Sequence, residues 1–321
     1  MRAARITRLD GPDAVTVENV DEPAGDDLVV IDVHAAGVTF PDVLQTRGLY
    51  QMKPPLPYIP GAEVAGVVRS APDGSGFAAG DRVCAFPGIG GFAETVATAP
   101  AMVFPLPDRI DFTTGAGIPM NLLTAHFALT RRGRLAIGET VLVHGAAGGL
   151  GSATVQLAAS QGAHVIAVTS TEEKAALARR AGAAHTVPVE GFKDAVKELT
   201  DGRGVDMVVD PVGGDRFTDS LRSLAPEGRV LVLGFTAGEI PTVKVNRLLL
   251  GNTAVLGVAW GELWMRDPSF LQTQWLELTD VLESGAVDPL IGATFPLDEV
   301  PAALALMDRR GALGKIVLTV R

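Results

Sequence analysis

The chain is short of the residues that hold metals and disulfides. Of its 321 residues, one is a cysteine, Cys84, and five are histidines. A single thiol closes no disulfide, and it cannot supply the four thiolates of a structural zinc site. His34, His126, His144, His164 and His185 include no pair at ligand spacing, so each reads as a core or surface residue. Long apolar runs are also missing: nothing approaches the ~18 residues that a membrane-crossing helix needs. No apolar stretch follows the arginines of the opening MRAARITRLDGP, which speaks against a secretory signal. Basic residues are outnumbered by acidic ones, 27 to 37, for a net charge of −10, and that disfavours a nucleic-acid partner. No Ser-His-Asp or Cys-His set and no H-E-x-x-H motif stands out. These absences lead to the expectation of a soluble, cytoplasmic protein with no membrane and no nucleic-acid partner.

What is present centres on Thr140 to Lys174. An apolar run, Val141-Leu142-Val143, reads as a buried parallel strand. The turn Gly145-Ala146-Ala147-Gly148-Gly149-Leu150-Gly151 follows, then a helical pattern over Ser152–Ser160 and a second strand at Val165–Val168. Strand, glycine turn, helix and strand within about thirty residues form a dinucleotide-binding unit. Gly148 lets backbone approach a pyrophosphate, and Gly151 lets the helix pack against the strand. Ala147, Gly148, Gly149, Leu150 and Gly151 are therefore the expected phosphate contacts, at a helix N-terminus that favours anions.

The second strand ends Thr169-Ser170-Thr171, with Lys174 a turn later. A site for NAD(H) usually places an acid there to take the ribose hydroxyls. Ser170, Thr171 and Lys174 suit a 2′-phosphate instead, so the expected cofactor is NADP(H). Glu172 and Glu173 argue the other way unless they serve only the helix N-terminus.

Elsewhere the chain divides by style. Residues 1–118 carry short strand patterns (14–20, 28–35, 64–70, 82–85 and 92–96) between Pro/Gly turns, the pattern of a mostly antiparallel β-domain. Residues 119–261 alternate strands and helices, the pattern of a doubly wound parallel sheet. Residues 262–321 return to the first style. The expected architecture is α/β, with a Rossmann-type sheet inserted into the β-domain. The apolar run Thr253–Val258 reads as the last strand of that sheet, and self-pairing of its edge predicts a homodimer.

Ordered motifs then identify the chain with a family. Ala36-Gly37-Val38-Thr39-Phe40-Pro41-Asp42, Arg47-Gly48-Leu49-Tyr50, Pro60-Gly61-Ala62-Glu63, Gly80-Asp81-Arg82-Val83, the glycine turn, Val209-Asp210-Pro211-Val212-Gly213-Gly214, Asn246-Arg247-Leu248-Leu249-Leu250 and Gly314-Lys315-Ile316-Val317-Leu318 run its full length. The chain resembles the medium-chain dehydrogenase/reductase superfamily, in particular its zinc-free quinone oxidoreductase branch. That resemblance implies a GroES-like β-domain and hydride transfer from NADPH to a quinone or α,β-unsaturated carbonyl compound. Where the zinc enzymes have a ligand histidine in Gly-His-Glu, this chain has Ala62, and the matching early cysteine is missing near Val38 and Thr39. Without a Lewis acid, a conjugated carbonyl is the natural hydride acceptor.

The resemblance implies catalytic positions at Thr39, Tyr50 and Asn121. Thr124, Gly234, Phe235, Val258 and Lys315 complete the cofactor set, and Phe40, Asp42, Tyr58 and Trp260 line the substrate cleft. Tyr50 either donates to the carbonyl or forms an apolar wall, and Asp42 is expected to fix a loop. The family often has Asn where Thr39 stands and Tyr where Val189 stands. Two other readings remain open: an enoyl-thioester reductase, for which Arg131, Arg132 and Arg134 form a basic cluster, and a non-catalytic nucleotide-binding protein.

Overall fold

The computed structural model describes residues 1–321. The strands in chain order are β1 (Arg2–Ile6), β2 (Val15–Asn19), β3 (Val29–Val38), β4 (Glu63–Ser70), β5 (Arg82–Ala85), β6 (Thr95–Thr98) and β7 (Val103–Pro105). Next come β8 (Thr140–Val143), β9 (His164–Thr169), β10 (His185–Pro188), β11 (Val205–Asp210), β12 (Leu224–Val232) and β13 (Ala254–Gly257), and finally β14 (Ile291–Pro296) and β15 (Lys315–Thr319). Contacts divide the chain into two compact units: Met1–Asn121 with Asp267–Glu283 and Pro289–Arg321, and Leu122–Arg266 with Ser284–Asp288. The first boundary falls inside the helix Pro119–His126. The sequence pattern placed the boundaries at 118 and 261, and gave no sign that Ser284–Asp288 returns to the second unit. There Gln156 holds Asp288 through two hydrogen bonds, of 2.8 and 2.6 Å.

In the first unit, seven strands form a sheet in the order β14-β15-β3-β4-β5-β7, with β6 also pairing β3; β1 and β2 form a separate ribbon. All these pairs are antiparallel except β14–β15. β3 has partners on both sides and is buried along most of its length, which its run of valine, isoleucine and alanine permits. Its inner face packs with Val64, Val83, Phe92, Ile316 and Leu318, and with Val300, Ala303 and Leu304 of the helix Val300–Asp308. One expected strand is misplaced: residues 92–96 do not form it, and β6 begins at Thr95. Phe92 bonds instead to Pro60 and Ala4, and Ala93 bridges Ala3 of β1, a strand that the sequence reading did not foresee.

The second unit is a six-stranded parallel sheet, β10-β9-β8-β11-β12-β13. The chain winds outward from β8 to β10, then starts again at β11 and winds the other way. The order therefore reverses between β8 and β11, and in such sheets ligands bind at the carboxyl ends flanking that switch point. Leu142, Ile166, Val168, Val208 and Val230 pack against Phe192, Val196, Phe217 and Leu221 from the covering helices. No helix is long and apolar enough to cross a membrane.

Candidate active site

At the end of β8 the chain turns through Gly145, whose φ of 60° lies in the left-handed region open to glycine. The helix that follows begins at Gly149, with Gly148 as an extended cap, three residues earlier than the sequence pattern suggested. Gly149, Leu150 and Gly151 thus form its first turn, whose N–H groups lack intrahelical acceptors and suit a phosphate. A Cβ on Gly151 would lie 2.0 Å from the carbonyl oxygen of Gly145 and 2.8 Å from Cα of Ala146, so only glycine brings helix and turn this close. A Cβ on Gly148 would meet nothing nearer than the Gly145 oxygen, at 3.5 Å. The space in front of Gly148 is a cradle that fits a pyrophosphate.

Other positions of this unit expected to contact the cofactor, and Trp260 of the expected substrate cleft, follow strands at the same edge of the sheet. Ser170 and Thr171 follow β9, Gly234 and Phe235 follow β12, and Val258 and Trp260 follow β13. Thr171 caps the helix Glu172–Arg180, its hydroxyl accepting from the Lys174 amide at 3.2 Å. Glu172, one of the two acids that argued for NAD(H), pairs with Arg179 at 2.7 Å. Thr124 is half-buried in the helix Pro119–His126, and Val189 packs against the core beside Val187. Trp260 is buried, its ring 6.1 Å from that of Trp264.

A second polar assembly lies in the first unit, where three separate motifs converge. Glu63 opens β4 and stands opposite Gly37 of β3, while Lys315 opens β15 on the other side of β3. A Cβ on Gly37 would lie 2.6 Å from Oε1 of Glu63 and 2.3 Å from the Ala116 carbonyl oxygen. The missing side chain lets the Glu63 carboxylate lie over β3, where it forms a buried ion pair with the Lys315 ammonium. Its Oε2 accepts from the Met120 amide at 2.7 Å.

Asp42 completes the assembly, in the first turn of the helix Phe40–Gln45. Its Oδ2 accepts from the Thr39 amide at 2.7 Å and the Thr39 hydroxyl at 2.6 Å, and its Oδ1 accepts from the Gly61 amide at 3.3 Å. Asp42 therefore joins residue 39 to residue 61. Burial pushes its carboxyl up to about 6, against the hydrogen bonds from Thr39 and the charge of Lys315. Burial, and then the charge of Asp42, raise both Tyr50 and Tyr58. The Tyr58 hydroxyl donates to the Gln45 carbonyl at 3.3 Å. Phe40 is half-buried and Asn121 is buried. Lys315, expected among the cofactor contacts, has its ammonium on Glu63; the pairing was not legible from sequence.

The structure also assembles a serine and a histidine that the sequence kept 76 residues apart: His144 Nε2 lies 2.8 Å from Ser220 Oγ. Both are fully buried. The Ser220 hydroxyl donates to the Arg216 carbonyl at 3.3 Å, so the arrangement that satisfies both has Nε2–H donating to serine. Burial lowers His144 to about 4. A sealed serine whose hydrogen points away from the imidazole is not an activated nucleophile.

An α/β unit with a phosphate-binding turn at its switch point, inserted into a mostly antiparallel β unit, defines the class of dinucleotide-dependent dehydrogenases and reductases. Family models agree: residues 25–108 match the alcohol dehydrogenase GroES-like domain, and residues 149–281 match the zinc-binding dehydrogenase domain. The mouse quinone oxidoreductase-like protein 2 is 38% identical over 325 aligned positions, covering 100% of this chain and 92% of that protein. A probable oxidoreductase from Mycobacterium abscessus superposes with a TM-score of 0.92 at 45% identity, over 100% of this chain and 99% of that one. The quinone oxidoreductase of Thermus thermophilus, solved alone and with NADPH, gives 0.87 at 34% identity over the whole of both chains. The chain belongs to the medium-chain dehydrogenase/reductase superfamily, among its quinone oxidoreductase-like members.

Proposed function

We propose that the protein is an NADPH-dependent oxidoreductase that transfers a hydride to a quinone or an α,β-unsaturated carbonyl compound without a metal. The observation that carries this reading is the carboxyl edge of the parallel sheet. The open cradle at Gly148 and the free first-turn amides would hold the pyrophosphate, and Ser170, Thr171 and Lys174 would take the 2′-phosphate. When bound, the cofactor supplies a hydride; the protein supplies position and hydrogen-bond donors. The metal-free part rests on sequence, with Ala62 in place of a ligand histidine and one cysteine in the chain. The basic cluster that would suit an acyl-thioester tail is partly committed, since Arg132 donates to the Gly257 carbonyl at 2.9 Å.

The same reading includes a homodimer through β13, which has β12 as its sole partner in the chain. A second copy would extend the sheet and cover Leu249 and Leu250, 77% and 83% exposed on the preceding helix. Light scattering is expected to give the mass of two chains at micromolar protein; the mass of one chain would refute it.

The test of function is cofactor oxidation against a panel of quinones, enones, enoyl-thioesters and simple alcohols. Quinones and enones are expected to consume NADPH, and the Lys174→Ala variant is expected to weaken NADPH roughly tenfold to a hundredfold while sparing NADH. Efficient oxidation of simple alcohols alongside inert quinones and enones, or equal use of NADH by the wild type, would contradict the reading.

A further inference from the structure

Three of the five buried side-chain polar atoms that lack a hydrogen-bond partner in the protein belong to one cluster of the second unit: His144 Nδ1, Asp210 Oδ2 and Arg216 Nε. His144 follows β8 and Asp210 ends β11, next to the paired Val143 and Val209, and the His144 amide donates to the Val209 carbonyl at 3.0 Å. Neighbouring positions at one register put their side chains on one face of a parallel sheet. The helices Phe192–Leu199 and Phe217–Arg222 cover that face. The Phe192 ring meets the His144 imidazole edge-on, with centroids 4.9 Å apart, and Ser220 bonds to it. His144 and Asp210 are 0% and 1% exposed, so bulk water reaches neither. The charges of Asp210 and Arg216 both act on His144, in opposite directions.

The three atoms differ in what they need. With Nε2–H donating to Ser220, Nδ1 of His144 is a bare acceptor. Asp210 Oδ1 takes the amides of Val212 and Gly213 at 2.8 and 2.9 Å, which leaves Oδ2 as a second bare acceptor. Arg216 Nε is a donor. Two acceptors cannot satisfy each other, and a buried acceptor left bare is costly. A molecule with two hydrogens to give and a lone pair to receive one meets all three needs, and water is the smallest such molecule. The site also sits where loops meet. His144 directly precedes Gly145 of the glycine turn, and Asp210 holds the 211–214 turn. The carbonyls of Pro211 and Val212 in turn accept from the amides of Thr236 and Ala237 at 3.2 and 2.9 Å, just past Gly234 and Phe235.

We propose that this cluster binds a single internal water, which donates to His144 Nδ1 and Asp210 Oδ2, accepts from Arg216 Nε, and ties the glycine turn after β8 to the 211–214 turn after β11. The bridge crosses the switch point of the sheet, where the strand order reverses. His144, Asp210 and Arg216 are positioning residues, acting through the turns they hold. A metal cation is the other occupant that two acceptors attract, but the Arg216 donor and its positive charge oppose one.

The experiment combines high-resolution crystal structures of the free wild type and Asp210→Asn with amide hydrogen exchange of both and of Asp210→Ala. Wild type is expected to show one water at about 2.6–3.2 Å from all three atoms. Asp210→Asn keeps an oxygen for the two amides and turns a nitrogen toward the site, so the same water should stay, accepting one more hydrogen bond. In Asp210→Ala, the Gly148 amide, which donates to the Gly145 carbonyl across the switch point, should exchange roughly threefold to tenfold faster for the one bond lost. The amides of β9 serve as the reference for any general loss of stability, and Asp210→Asn should match wild type. A site without water, a direct contact between the Arg216 guanidinium and Asp210, or a peak ringed by oxygens that vanishes in Asp210→Asn, the mark of a cation, each overturns the water assignment. Faster exchange confined to Val212 and Gly213 overturns the tie between the turns. Neither measurement uses cofactor or acceptor, so its failure is distinct from failure of the hydride reading.

Discussion

The two units bury polar groups in opposite ways. In the first, Asp42 is tied by hydrogen bonds to the backbone at residues 39 and 61 and Glu63 to that at 120, and Glu63 pairs with Lys315. In the second, His144 and Asp210 sit at the ends of β8 and β11. His144 is bonded to Ser220, and Asp210 Oδ1 accepts from the amides of Val212 and Gly213 at 2.8 and 2.9 Å. Yet Nδ1 of His144 and Oδ2 of Asp210 are buried without partners. Burial moves the two titratable groups toward neutrality from opposite sides, Asp42 up to about 6 and His144 down to about 4. The comparison teaches that a shifted titration is not itself a functional signal. Asp42 joins the backbone at residues 39 and 61, whereas Asp210 holds the loop at Val212 and Gly213.

Breaking the ion pair gives the largest expected effect. Lys315→Met leaves the Glu63 charge buried with only the Met120 amide, at a cost of about 3–5 kcal/mol in urea unfolding at neutral pH. The double variant Glu63→Gln/Lys315→Met should regain most of it, and a single-variant loss below about 1 kcal/mol would contradict a buried pair.

The opposed titrations predict opposed pH slopes. Asp42 has a folded value raised from 3.8 to about 6, so its contribution is full below 3.8 and lost as pH rises through about 6. Relative to Asp42→Asn, the wild type should therefore lose up to about 3 kcal/mol between about pH 4 and about pH 8. His144 has a folded value lowered from 6.5 to about 4, so its contribution is full above 6.5 and lost as pH falls toward 4. Relative to His144→Gln, the wild type should lose stability on acidification. Parallel slopes for the two variants would break the comparison.

Smaller effects separate packing from binding at the turn. Gly151→Ala forces a Cβ into backbone and should cost about 1–3 kcal/mol in the free protein. Gly148→Ala should leave that stability nearly unchanged and weaken NADPH, which calorimetric titration would detect. Ser220→Ala removes two hydrogen bonds and leaves the buried His144 Nε2–H without a partner, at about 1–3 kcal/mol, with NADPH affinity unchanged.

Much of this was legible in the sequence. Apolar runs of β-branched residues marked the parallel strands to within a few residues, because strands buried on both faces need no alternation. The glycine turn was readable because Gly151 has one steric task. What stayed hidden depends on residues distant in the chain. Nothing local to Glu63 signals Lys315, 252 residues away, and nothing near His144 signals Ser220. Ser284–Asp288 joined the second unit through Gln156, a contact that no periodicity records. Strand β6 moved because the 92–93 backbone found partners in β1 and at Pro60.

The central claim is direct hydride transfer from NADPH to a conjugated carbonyl, and its most direct test is isotopic. NADPH deuterated at the transferring C4 position would be oxidised with an enone, and the product analysed by mass spectrometry and NMR. The account predicts one deuterium at the carbon β to the carbonyl and solvent hydrogen at the α-carbon. Deuterium lost to water, or deuterium at the carbonyl carbon of an allylic alcohol product, would contradict it.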